Sequence, residues 1–83
     1  MTMKADARRV QLRKAIGERL RDSRSHQERS QAAVARSSGI SQSALSNYEA
    51  SRCELPLIAA TRVTASLGIS IADIIDEHEM LAS

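Results

Sequence analysis

Four residues punctuate this chain: Gly17, Gly39, Pro56 and Gly68. No alternating apolar–polar stretch of useful length runs between them, and apolar residues recur at three- and four-residue spacing instead. The chain must therefore fold as short helices joined by tight turns. With 83 residues it buries one small core, and neither a second domain nor a large cleft between domains is expected. Tyr48 is the sole aromatic residue. The core then falls to Leu, Ile, Val, Ala and Met, and a base-stacking platform is excluded.

The spacing predicts five helices packed as a compact all-α bundle. The first carries the stripe Leu12, Ile16 and Leu20 and ends near Ser25. Gly17 lies inside it, where it either weakens the helix or admits a close neighbour. Ser30 is an N-cap for a second helix over about 31–38, with Val34 and Ala35 inward, and Gly39 gives it a left-handed stop. Ser41 caps a third helix, which carries Ala44, Leu45 and Tyr48 and fades by Ser51. Pro56 opens a fourth with a broad apolar face of Leu57, Ile58, Ala60, Thr61, Val63, Thr64 and Leu67, ended by Gly68. Ser70, with Asp73 three residues on, starts a last helix whose face runs Ile71, Ile74, Ile75, His78 and Leu81. Residues 1–11 read as a basic arm or helix extension, 12–76 as the folded domain, and 77–83 as a tail.

Charge is unevenly spread. Residues 1–52 hold eleven Lys/Arg against five Asp/Glu, and residues 53–83 hold one Arg against five Asp/Glu. Such a split suits either a polyanion at one end or two solvated faces of unlike sign.

The informative stretch is 31–49, Q-A-A-V-A-R-S-S-G-I-S-Q-S-A-L-S-N-Y-E. Two short helices meet at a glycine, Ala35 is small where they cross, and Ile40 and Leu45 fill the angle between them. A helix-turn-helix needs this arrangement. The first turn of the second helix then projects short hydrogen-bonding side chains: Ser41, Gln42, Ser43, Ser46 and Asn47. Gln and Asn can pair bidentately with adenine in the major groove, and Ser can serve either base type.

From Ile16 to Ile75 the chain resembles the Xre-type, lambda-repressor-like family of helix-turn-helix DNA-binding domains. The resemblance rests on I-G-E-R-L-R-x-x-R at 16–24, S-Q-x-x-V-A-x-x-S-G-I-S at 30–41, L-S-x-Y-E at 45–49, E-L-P-L at 54–57 and S-L-G-I-S-I-A-D-I-I at 66–75. It implies the five-helix fold of that family and binding to double-stranded DNA. It also implies roles for particular residues. Gln31 resembles the family's phosphate-contacting glutamine. Ser41, Gln42, Ser43, Ser46 and Asn47 fall at or near the base-reading positions, and Ser51 and Arg52 resemble a second phosphate clamp. Arg24 and Glu49 match an ion pair tying the first helix to the end of the recognition helix.

Departures matter as well. Ser51 stands where the family usually has Gly, which leaves room for a different turn. Cys53 replaces a residue that is often basic. The recognition helix has no Arg or Lys, so the commonest guanine contact is missing, and readout should lean toward A·T contacts and DNA shape.

The remaining groups point elsewhere than to chemistry. His26 and His78 lack partners at ligand spacing, so no metal or other cofactor is expected. Cys53 is alone, with neither disulfide nor resolving thiol. No Ser/His/Asp grouping has support from the helical layout, so the chain reads as a non-enzyme, and no small-molecule ligand is evident. No apolar run approaches the ~20 residues of a membrane span and no secretory signal is present, so a cytoplasmic, nucleoid-associated protein is expected. Ile75, His78, Met80 and Leu81 run past the compact domain and suggest a homodimer contact. The expectation is a regulator, a repressor or autoregulator, acting as a homodimer on a palindromic operator. The alternative is a protein-interaction module of the same fold whose output is a protein partner.

Overall fold

The computed structural model describes residues 2–82, with side chains described for 6–81. The helices are α1 (Thr2–His26), α2 (Gln31–Ser38), α3 (Gln42–Glu49), α4 (Leu57–Leu67) and α5 (Ile71–Ala82), with no strand among the described residues. Lys4 of the basic segment has its side chain outside the described residues, as does Ser83 of the tail. The segment upstream of Leu12 continues α1 as helix. At 1.5 Å rise per residue, α1 spans about 37 Å and accounts for the longest dimension of the molecule, 40 Å. No single helix among the described residues is long and apolar enough to cross a membrane.

All four connections begin with the same left-handed cap. Gly39 and Gly68 both sit at φ 70°, and the residues after them donate back to the helix, Ile40 N–H to Ala35 O at 3.0 Å and Ile69 N–H to Thr64 O at 3.0 Å. Non-glycine residues do the same after α1 and α3. Glu28 takes φ 55° with Arg29 N–H on Arg24 O at 3.1 Å, and Ser51 takes φ 60° with Arg52 N–H on Asn47 O at 2.9 Å. The turn after α3 thus keeps the left-handed geometry that glycine would take, despite its serine. Ser30 and Ser41 cap α2 and α3, their Oγ atoms accepting from Ala33 N–H and Ala44 N–H, each at 3.0 Å.

The core gathers Leu20, Val34, Ala35, Leu45, Val63 and Leu67, with Ile16, Ile40, Tyr48, Leu55 and Ile69 packed against it. Gly17 marks the tightest crossing. A Cβ there would lie 2.6 Å from Tyr48 O and 2.9 Å from Glu49 O, so this glycine admits α3 against α1. Thr64 enters the core because its hydroxyl donates to Ala60 O at 2.7 Å. The α1–α2 connection is latched to the end of α4. Gln27 Nε2 donates to Leu67 O at 2.8 Å and Arg29 Nη1 to Ser66 O at 2.7 Å, satisfying carbonyls that a helix end leaves open.

The face expected of α4 needs correction. Ala59, Ala60, Val63, Thr64 and Leu67 are buried, whereas Leu57, Ile58 and Thr61 are exposed. Leu57 shares the stripe of Ala60, Thr64 and Leu67 but lies a turn beyond the core. Ile58 falls on the outer stripe with Thr61, Arg62 and Ala65. On α5, Ile74 is buried and Ile71, Ile75 and His78 are half-buried, while Met80 and Leu81 are exposed. Arg19 Nη1 meets Glu77 Oε2 at 2.5 Å and holds α5 on α1.

Candidate nucleic-acid interface

The cap pattern decides which side chains share a surface. Gly39 turns the chain sharply, so the first turns of α2 and α3 open on the same side. Gln31 from α2, with Gln42, Ser43, Ser46 and Asn47 from α3, lines one shallow, polar concavity, and Arg52 of the following turn completes it. Arg52 reaches this edge because Ser51 carries the left-handed bend. Ser41 lies outside that lining, with its Oγ accepting the cap hydrogen bond and only its O–H left to donate outward. Ser51 also lies outside it. Its hydroxyl donates to Arg13 O at 3.4 Å, and the residue lines a neighbouring hollow with Lys14, Glu18, Arg21, Asp22, Glu49 and Ala50.

Beneath the concavity lies a charged network. Arg24 Nε donates to Glu49 Oε2 at 2.7 Å, Nη2 to Glu49 Oε1 at 3.0 Å and Nη1 to Arg29 O at 2.9 Å. The Arg24 and Glu49 side chains are 16% and 3% exposed. Hydrogen bonding to Glu49 holds the Arg24 guanidinium above its ordinary pKa, against the opposing effect of burial. Gln31 Nε2 donates to the same Glu49 oxygen, Oε1, at 3.1 Å. That bond fixes the amide and leaves its second N–H as the donor for an outside acceptor. The ion pair therefore joins α1 to α3 and also orients Gln31 of α2, a link the sequence did not reveal because it depends on tertiary approach.

On the far side of the Arg52 turn, Glu54 Oε1 meets Arg9 Nη2 at 2.7 Å and Arg13 Nη1 at 3.5 Å. The hydrogen bond from Arg9, with the charges of Arg9 and Arg13, holds the Glu54 carboxyl below its ordinary pKa against a small opposing effect of burial. Arg9 is held above its own in the same way. Lys14 and Arg21 are further cations beside the interface that sequence reasoning did not single out.

A family model described as a helix-turn-helix domain matches residues 15–73. The chain belongs to the helix-turn-helix domain family. Two solved structures of the clp gene regulator ClgR from Corynebacterium glutamicum are similar to it. One is 32% identical with a TM-score of 0.74, covering 82% of this chain and 72% of its own. The other is 30% identical with a TM-score of 0.74, covering 87% of this chain and 94% of its own. No curated protein gives a significant match. In this helix-turn-helix domain, α2 and α3 are the two helices of the motif, and the concavity lies across their exposed first turns.

Proposed function

We propose that this helix-turn-helix domain is a sequence-specific, double-stranded DNA-binding transcriptional regulator, a repressor or autoregulator acting as a homodimer on a palindromic operator. The gathering of Gln31, Gln42, Ser43, Ser46, Asn47 and Arg52 in one open concavity carries the reading. The likeness to a gene regulator from Corynebacterium glutamicum supports it. Gln42 and Asn47 read base edges in the major groove, helped by Ser43, Ser46 and the hydroxyl of Ser41. Gln31 and Arg52 position the helix on phosphates from opposite ends of the concavity. Ser51 contributes by bending the chain so that Arg52 reaches the backbone. Arg24 and Glu49 hold the two helices and Gln31 in register.

The homodimer would set two α3 helices about 34 Å apart, one turn of DNA. Two exposed apolar pairs are available for it, Met80–Leu81 on the tail and Leu57–Ile58 on α4. The α4 pair follows Arg52 by a few residues and adjoins the reading face. The tail pair is flanked by Asp76 and Glu79, which a two-fold contact would bring against their own copies. We therefore place the dimer contact on Leu57 and Ile58, with Ile75 and His78 serving chiefly to dock α5. The same exposed pairs are what favour the rival reading, a module that binds a protein partner.

Selection from a random duplex pool tests the proposal, with enrichment of an inverted repeat as the expected result. Affinity for the selected duplex should fall steeply between about 50 and 200 mM salt. Absence of duplex binding at the lower salt would overturn the proposal and leave the protein-interaction reading.

A further inference from the structure

A second cleft lies between α1 and the turn that leads into α4. It is lined by Arg9, Leu12, Arg13 and Ile16 of α1, by Tyr48, and by Cys53, Glu54 and Leu55. Its volume is about 110 Å³, below the ~300–1,000 Å³ of sites for drug-sized ligands. Leu12, Ile16, Tyr48 and Leu55, all half-buried, give it an apolar interior. Two guanidiniums face one carboxylate, and both ion pairs fall on the same Glu54 oxygen, Oε1. The cluster therefore carries a net positive charge. Arg13 Nε is shut off from solvent and has no hydrogen-bond partner, a state that buried donors rarely occupy.

We propose that this cleft binds a small amphipathic monocarboxylate, whose carboxylate accepts from Arg13 and Arg9 while its short apolar body lies against Leu12, Ile16, Tyr48 and Leu55. A carboxylate supplies the acceptor that Arg13 Nε lacks and balances the excess guanidinium charge, in the planar geometry that arginine prefers. The apolar interior disfavours a bare phosphate, which needs donors on all sides. The cleft shares Tyr48 with α3, and Cys53 and Glu54 directly follow Arg52. Occupancy would therefore fix the turn that carries the phosphate clamp, and the ligand would act as an effector of operator binding. That regulatory consequence rests on the DNA-reading function, whereas binding itself does not.

A titration without DNA separates the two. The intact ¹⁵N-labelled protein is titrated with sodium acetate, butyrate and hexanoate at constant ionic strength, following the Arg13 Nε–H signal and Tyr48 fluorescence. Saturable shifts are expected, with affinity rising about three- to fourfold per methylene until the cleft is full. Arg13→Lys, which keeps the charge but removes the Nε donor and planar fork, should weaken binding about tenfold or more. Cys53→Trp, on the exposed rim, should weaken it similarly by filling the cleft, and stands in for Arg13→Lys if that variant fails to fold. Linear, non-saturating shifts, an equal response to inorganic phosphate, or unchanged binding in a folded Arg13→Lys or Cys53→Trp protein would overturn the proposal. If the carboxylate binds and operator affinity does not change, only the effector role falls.

Discussion

At the residue scale, Ser51 concentrates the tension between local preference and function. A side chain in the left-handed region costs roughly 1–2 kcal/mol relative to the right-handed one. Only the 3.4 Å contact from Ser51 Oγ to Arg13 O offsets it. Ser51→Gly should stabilise the domain by about 1 kcal/mol, a rise in melting temperature of roughly 4–8 °C, with operator affinity maintained because Arg52 keeps its place. Thermal denaturation by circular dichroism measures this, and a fall in stability would show that the hydroxyl contact outweighs the strain. Ser38 offers an independent case. Its Oγ is buried without a partner, so Ser38→Ala removes an unsatisfied group and should be neutral to stabilising by up to about 1 kcal/mol in urea titration. Arg24 behaves oppositely. Arg24→Ala strands a carboxylate that is 3% exposed and should cost about 3–5 kcal/mol by the same measurement.

At the scale of the element, legibility followed how local the signal was. The ranges of α2 and α3 could be read because Ser30, Gly39 and Ser41 cap through bonds to residues close by in sequence. Glu28 could not be read as a cap, since glutamate has no preference for φ 55° and is placed there by closure of the α1–α2 connection. Gly17 was open to two readings until the approach of Tyr48 O chose between them. On α4 the apolar pattern was wider than the surface available to cover it, which is why Leu57 and Ile58 emerged exposed. The candidate interface divides in the same way. Helical spacing alone gathers Gln42, Ser43, Ser46 and Asn47, while the bond from Gln31 to Glu49 and the Glu54 ion pairs required the tertiary structure. For α3 the expected separation of roles is measurable. Gln42→Ala and Asn47→Ala should each lower discrimination between operator and random duplex by about 1–3 kcal/mol, with little change in nonspecific binding. Arg52→Ala should weaken both alike and reduce the salt slope by about 1. Equal losses in both classes would move Gln42 and Asn47 to phosphate positioning.

At the scale of the whole molecule, the charge split acquires a direction. The basic first half contains α1, the motif and Arg52, and the acidic second half contains α4 and α5. Attraction to DNA would come from around the reading helix rather than from it, because α3 carries no Lys or Arg. A half-site read by uncharged side chains is weakly held, which makes a second copy more valuable. The apolar surface for that copy is small. Leu57 and Ile58 are 77% and 67% exposed, and four such side chains across a two-fold contact fall short of the ~1,200 Å² that a stable interface buries. Dimerisation should therefore be weak in free solution and be completed on the operator. Leu57→Glu with Ile58→Glu should lower affinity for the full inverted repeat about tenfold or more, while binding to an isolated half-site changes little. Met80→Glu with Leu81→Glu should leave both nearly unchanged. The measurement is a pair of fluorescence-anisotropy titrations, full repeat against half-site, at one salt concentration. If the tail substitutions prove to be the ones that abolish the preference for the full repeat, the two-fold contact lies on α5, and its acidic residues must be neutralised across it.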